Sequence, residues 1–320
     1  MSKLNQCIIQ LKNGKFLKLS GPFEELERIQ GTCVLFKSLK DFQLKILKPS
    51  VTEEYFLTGA RAPVNLSLRS EEPFESYKAR FDAVIKELES ERLLKAVIAT
   101  EKIYEASALP KLNSLETNDD RLIFFVQNED SVFFGATPDE FLEISKDNLF
   151  ALYSVAGTSL SSSVDKEENE VSVASALSEL KKFEINTSDV VHSIVRSGVL
   201  YHGKTILRFR ANIELLSSLI EALYPPSTIF GYPTDSAFKI KDLLKPPSGY
   251  GYYGSLLGVF GDFGDGLIFR SVCMIRGLEV KNNLVRVVAG SGVIKNRSAE
   301  QEFEECQLKL KSILDSVGTR

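Results

Sequence analysis

Two hydrophobic periods follow one another along this chain, and their order constrains the fold more than any single motif. Over the first 70 residues, short apolar runs (QCIIQL, TCVLF, FQLKIL) alternate with Gly, Pro and charged turns, which reads as β-rich. A helix is predicted over about 73–90, where Phe74, Tyr77, Phe81, Val84, Ile85 and Leu88 recur at helical spacing behind Pro73. Strand-like segments follow at KAVIATEKIYEA, RLIFFVQ, SVFFGAT and NLFALYSVAGT, then helical patterns over about 166–183, 189–200, 213–223 and 234–244. Strands return at SLLGVFG, LIFRSVCMIRGLEV and NLVRVVAGSG before a closing helix. Strands, helices, strands and a helix, in that order, suggest a mixed α+β architecture rather than a doubly wound parallel sheet. No GxGxxG or Walker-type phosphate loop stands at a strand–helix junction, so no nucleotide fold is expected. Neither a repeat nor a low-complexity linker divides the 320 residues, and one domain is predicted.

Charge and composition remove several function classes. With 39 basic and 43 acidic residues the net charge is −4, which argues against a nucleic-acid or anionic-membrane surface as main partner. Cys7, Cys33, Cys273 and Cys306 are far apart and form no CxxC pair, as in a reducing cytoplasm. No run of about 18 apolar residues occurs, so no membrane span is expected and a cytoplasmic protein is predicted. Only two histidines occur. A three-histidine metal site is impossible and a histidine-based triad improbable, which leaves proton transfer to Lys, Asp, Glu or Tyr. His192, in the amphipathic run DVVHSIVRSGVL, reads as a helix-face residue.

The C-terminal passage VRVVAGSGVIKNRSAEQEFEECQLKLKSIL reads as a strand, a glycine turn (Ala289, Gly290, Ser291, Gly292) and a helix. The helix opens on Ser298, with Gln301 three residues on in a capping-box pattern. Glu302, Glu305 and Lys309 fall at i, i+3 and i+7, on one face. By spacing alone this stripe is either a solvated acidic face or a place where a divalent metal and a carboxylate ligand meet. Arg276 sits among Cys273, Met274 and Ile275 in an apolar strand. Facing inward it needs a carboxylate partner; facing outward it is an exposed charge. FFGATPDEFLEIS ends a strand in a Thr-Pro turn with Asp139 and Glu140, and Lys95 opens an apolar strand. A lysine there is usually a surface flank, but partial burial would bring it towards a usable base.

In order, FFGATPDEFLEI, the AGT of YSVAGTS, YPPSTIFGYPTDSA, YYGSLLG, MIRG, AGSGVI and EFEECQLKL resemble the chorismate-utilising enzymes. These are the isochorismate synthases, salicylate synthases, and the large subunits of anthranilate and aminodeoxychorismate synthase. The likeness runs from about Lys95 to the C-terminus. It implies a single-domain chorismate-binding fold with large antiparallel β-sheets flanked by helices. Residues 1–90 would be its variable β-rich N-terminal part, and 91–320 its chorismate-binding region. The family further implies a small-molecule substrate, Mg²⁺ as cofactor, a place in menaquinone or siderophore biosynthesis, and a monomer.

Position by position, the resemblance makes Lys95 the general base that activates water for attack at C2 of chorismate. Asp139, one methylene shorter than the usual Glu, becomes the acid that protonates the departing C4 hydroxyl. Gly157 and Thr158 match the substrate-contacting AGT motif. Tyr253 and Arg276 match the pair that holds the pyruvyl carboxylate. Gly290, Ser291, Gly292 and Lys309 match the cradle for the ring carboxylate, and Glu302 and Glu305 the Mg²⁺ ligands. Ala156 stands where aminodeoxychorismate synthases of the common type carry a lysine nucleophile, so water is the implied nucleophile and isochorismate the product. A salicylate synthase, or a non-catalytic relative that binds a ligand or a partner, are the alternatives.

The chain departs from the family pattern at several positions. With Val190 and Val191 set on the family's VV helix, Asn186 and Thr187 stand where Glu and His supply further metal ligation, and Glu184 is the nearby carboxylate. Thr100, the run SLSSS and Tyr250 replace arginines, and Phe209 replaces a strand histidine.

Overall fold

The structure is a computed structural model that describes residues 4–58, 64–115, 120–157, 163–197 and 200–318. Seven strands come first: β1 (Leu4–Gln10), β2 (Phe16–Ser20), β3 (Glu24–Leu26), β4 (Cys33–Lys37), β5 (Leu44–Lys48), β6 (Val51–Tyr55) and β7 (Leu66–Glu71). Helix α1 (Phe74–Glu89) leads to β8 (Lys95–Ala106), β9 (Leu122–Asn128), β10 (Val132–Thr137), β11 (Glu140–Ser145) and β12 (Leu149–Ala156). Helix α2 (Ser163–Lys182) precedes the hairpin β13 (Asp189–Ser197) and β14 (Leu200–Arg210). Then come α3 (Leu216–Leu223), β15 (Gly231–Tyr232), α4 (Thr234–Lys239) and α5 (Lys241–Leu244). The chain closes with β16 (Leu256–Phe260), β17 (Leu267–Cys273), β18 (Gly277–Lys281), β19 (Leu284–Val293) and α6 (Ala299–Asp315).

The strands form two large sheets. One runs β15-β8-β19-β18-β10-β9-β1-β2-β6, with β7 paired to β8 off this path; the other runs β13-β14-β12-β11-β17-β16-β4-β5-β3. Neighbours pair antiparallel, as in β8 with β19 and β12 with β14. The N-terminal strands are divided between the sheets, so residues 4–55 complete both rather than forming an appended module. Cys7, Leu19, Phe124 and Phe133 of the first sheet meet Val34, Phe36, Leu257 and Val272 of the second in an apolar layer. A second core gathers Tyr77, Phe81, Val84 and Leu88 of α1 with Leu219 and Ile220 of α3. Helix α6 packs Leu310 and Ile313 against a third cluster containing Val285, Val287 and Ala289 of β19. Successive side chains of a strand point to opposite faces, which sets which of them reach each layer.

Two predicted elements are corrected. Residues 189–200 are not helical: Asp189–Ser197 is an edge strand paired to β14, with Val190 opposite Leu207 and Ile194 opposite Gly203. Val190, Val191, Ile194 and Val195 satisfy a helical stripe, but they are β-branched and the partner strand settles the conformation. His192 is therefore a strand residue, joined through Nδ1 to Thr205 Oγ1 at 3.0 Å. Likewise Ala289–Gly292 is no turn but the interior of β19, in unbroken register with β8. All four cysteines are buried free thiols. Among the described residues, no helix is long and apolar enough to cross a membrane.

Candidate active site

Lys95 opens β8, whose first seven residues are all buried, and its side chain is fully enclosed. The strand lies inside the sheet between β15 and β19, so its first residue is a core position and not a surface flank. Lys95 Nζ donates to Ser172 Oγ at 2.8 Å and pairs with Glu168 Oε1 at 2.8 Å. Glu168 and Ser172 are one turn apart on α2. A buried ammonium without such partners costs several kcal/mol, so this turn of α2 is what keeps Lys95 inside.

Asp139 occupies the link between β10 and β11. Its backbone N–H donates to Thr137 Oγ1 at 3.1 Å, and Thr137 Oγ1 donates to Cys273 O at 2.7 Å, which fixes the turn. Burial raises its carboxyl from 3.8 to about 8, outweighing the opposing pull of Lys95, Lys204 and Arg276. The acid therefore keeps its proton at neutral pH. Glu140 is bound by Lys204 and by Arg270 at 3.5 Å, which leaves Asp139 as the carboxyl of this turn that lines the cavity.

Arg276 is not inside a strand. It lies in the connection between β17 and β18 with φ 56°, a left-handed conformation costly for a side chain of this size. The guanidinium is buried, and among the described residues its Nη1 has no hydrogen-bond partner. Its Nη2 donates to His202 Nε2 at 3.1 Å, while His202 Nδ1 donates to Gly157 O at 3.0 Å. A guanidinium only donates, so this chain fixes the imidazole tautomer. Burial, followed by the charges of Arg276 and Lys309, lowers His202 to about 3 and keeps it neutral. His202 is a positioning residue that sequence reasoning missed, because only its contacts give it a role. Gly157, with φ 77°, turns the chain after β12. Thr158 lies outside the described residues.

Asp139, Gly157, Tyr253, Arg276, Gly290, Gly292, Glu305 and Lys309 share a cavity of about 50 Å³ with Glu168 and His202. A larger recess of about 590 Å³ shares Ala156 and Gly157 with it. Gly290 and Gly292 are glycines because of close approach: a Cβ at Gly290 would lie 2.6 Å from Tyr253 Oη. One at Gly292 would overlap the Glu168 carboxylate and lie 3.1 Å from Lys95 Cε. Gly292→Ala is therefore expected to wedge the Lys95–Glu168 pair apart and lose about 1–3 kcal/mol in chemical denaturation. An unchanged midpoint would contradict that packing. Ser291 alternates away from these glycines and hydrogen-bonds Glu302.

Helix α6 begins as its sequence requires, with Ser298 Oγ accepting from Gln301 N at 3.2 Å. Lys309 Nζ donates to Gly290 O at 2.9 Å and pairs with Glu305 at 2.6 Å. Glu302 is buried against Ser291 and Arg297 and does not line the cavity. The facing carboxylate is Glu168 of α2. Asn186 and Glu184 lie beyond the end of α2, because the VV alignment that placed them falls on β13. The available signal was the glutamate-rich opening of the helix predicted over 166–183.

Carboxylate oxygens are right in kind for Mg²⁺. Here, however, Glu168, Glu302 and Glu305 are each engaged by Lys95, Arg297 or Lys309. Among the described residues, no three His, Cys, Asp or Glu side chains gather into a ligand set. The donors as arranged do not fit a divalent ion.

Residues 35–315 match the family model for chorismate binding enzymes, a span that begins well upstream of Lys95. Among curated proteins, the chain is 25% identical over 256 residues to anthranilate synthase component 1 of Buchnera aphidicola, covering 69% of this chain and 48% of that protein. It is 26% identical over 163 residues to isochorismate synthase DhbC of Bacillus subtilis, covering 50% and 40% respectively. In both, the match spans less than half the relative's length. A solved Bacillus anthracis structure, named as the isochorismate synthase DhbC, superposes with TM-score 0.80 at 17% identity over 100% of this chain and 98% of that one. At that identity the likeness establishes the fold. With the family match spanning most of its length, the chain belongs to the chorismate binding enzyme family.

Proposed function

We propose that this protein converts chorismate to isochorismate, adding water at C2 and releasing the C4 hydroxyl. The observation that carries the reading is a buried, proton-bearing aspartic acid lining the cavity, with a buried lysine just behind the wall, paired to the cavity-lining Glu168. Glu168, 2.8 Å from Lys95, can receive the proton that the ammonium must shed before it acts as a base. Lys95 then takes a proton from water as its oxygen bonds C2, the ring double bonds shift, and the C4–O bond breaks. Asp139 gives its proton to the leaving hydroxyl, which departs as water. No oxidant or reductant is needed.

The cradle suits a dianion. The unpaired Nη1 of Arg276 calls for one carboxylate, with Tyr253 beside it. Lys309, with Gly290 and Gly292 beside it in the cavity wall, serves the other. The 50 Å³ cavity is too small for the whole ligand, so the adjoining recess behind Ala156 and Gly157 supplies the remaining volume. Ala156 offers no amino nucleophile, which favours water. Incubating the purified protein with chorismate is expected to give isochorismate, separable by chromatography and distinct in its proton spectrum. Unchanged chorismate over a range of pH, with folded protein, would contradict the reading.

A further inference from the structure

Three carboxylates and three side-chain cations meet where α2, β8 and α6 come together. Glu168 pairs with Lys95 at 2.8 Å, Glu305 with Lys309 at 2.6 Å, and Glu302 with Arg297 at 3.1 Å. Arg297 also reaches Glu168 on the facing helix at 3.9 Å. Its guanidinium therefore lies between the two carboxylates that α2 and α6 present to each other. The 3.1 Å approach is a charge contact whose angle is not that of a hydrogen bond. Glu302 is 1% exposed and Arg297 13%, so water screens the pair little.

Arg297 immediately precedes Ser298, the N-cap of α6, so its stem spans from the helix start to both acids. A magnesium ion between Glu302 and Glu168 must approach their oxygens to about 2.0–2.1 Å and shed part of its tightly held water. It would also have to displace the guanidinium. That charge is tethered to the chain and loses no translational freedom on taking its place. Each carboxylate already has a side-chain cation beside it, so a dication would have to compete with a built-in charge at every one of them.

We propose that Arg297 fills, with a guanidinium built into the chain, the position a divalent cation would need between Glu302 and Glu168, while Lys95 and Lys309 hold the cavity-lining Glu168 and Glu305, which together makes this site metal-independent. A carboxylate ligand entering the cavity meets fixed side-chain cations, with Arg276 and Lys309 as direct partners and Arg297 holding the acidic wall in place. This rests on reading the cavity as a chorismate site, but metal binding is measured without substrate and so decides separately.

The full-length protein is titrated with Mn²⁺, followed by its paramagnetic resonance signal, and with Mg²⁺ by calorimetry. Wild-type protein is expected to show no saturable binding through the millimolar range. Arg297→Ser, which exposes Glu302 and Glu168 to one another, is expected to bind Mn²⁺ at least about tenfold more tightly than wild type. Arg297→Gln serves the same purpose should the serine variant not fold. Chorismate should raise the melting temperature of wild type equally in EDTA and in Mg²⁺. Saturable sub-millimolar metal binding by wild type that Glu302→Gln removes would overturn the proposal. So would ligand stabilisation that requires Mg²⁺, or a folded Arg297 variant that gains no metal binding.

Discussion

Lys95→Met is expected to lower kcat for chorismate turnover by about 10²–10⁴-fold, the usual contribution of a positioned proton acceptor. Its effect on stability should be equally plain. Methionine keeps the stem volume but removes the ammonium, leaving Glu168 buried beside an apolar chain end. Losing one partner of a buried ion pair costs about 3–5 kcal/mol. Arg297 at 3.9 Å from Glu168 offsets part of this and sets the loss towards the lower end. The double variant Lys95→Met with Glu168→Gln removes both charges and is expected to recover most of the stability by urea denaturation. It should recover none of the turnover. Restored activity in the double variant would show that Lys95 acts only as a counter-ion, and the proposed base would be wrong.

Asp139→Asn tests the other half of the proton transfer. Asparagine matches the shape but cannot donate a proton to a leaving hydroxyl, and a loss in kcat of about 10²–10⁴-fold is expected. The same carboxyl sets a pH dependence. Burial lifts Asp139 from 3.8 to about 8, against Lys95, Lys204 and Arg276, which pull it down, and with Glu140, which pushes it up. Wild-type activity limited by this acid should fall as pH rises through about 8. The sign for stability follows from proton count. Between the two values the unfolded chain has released this proton while the folded chain retains it, so wild-type stability declines as pH rises across that window. The substituted amide cannot ionise, so the variant should lose that slope and be at least as stable as wild type near neutrality. A variant that keeps the wild-type slope would mean that Asp139 is ionised in the folded protein.

Much of the fold is written in hydrophobic period and turn chemistry. The helix predicted over 73–90 appears as Phe74–Glu89, and the Ser298 cap stands where the Ser-x-x-Gln pattern places it. What sequence misjudged depends on distant partners. Val190, Val191, Ile194 and Val195 fit either period until β14 pairs with them. Gly290 and Gly292 look like a turn, but they leave room for Tyr253 and for the Lys95–Glu168 pair across the sheet. Of the residues the resemblance singles out, Asp139, Gly157, Tyr253, Arg276, Gly290, Gly292, Glu305 and Lys309 line one cavity, whereas Lys95, Ser291 and Glu302 lie behind its wall. The support behind them was hidden. Glu168 is one glutamate in a polar run, His202 has no local motif, and Arg297 reads as a basic residue ahead of a helix cap. Each acquires a role only through a side chain many residues away.

In the proposed reaction, water activated at Lys95 replaces the C4 hydroxyl of chorismate with a hydroxyl at C2. Turnover of chorismate in water enriched in heavy oxygen tests it most directly, with the product examined by mass spectrometry. Isochorismate carrying one heavy oxygen, located at C2 by its fragments, is expected, with incorporation by Lys95→Met slowed in step with its kcat. Isochorismate formed without the label, or chorismate returned unchanged by folded wild-type protein, would contradict it.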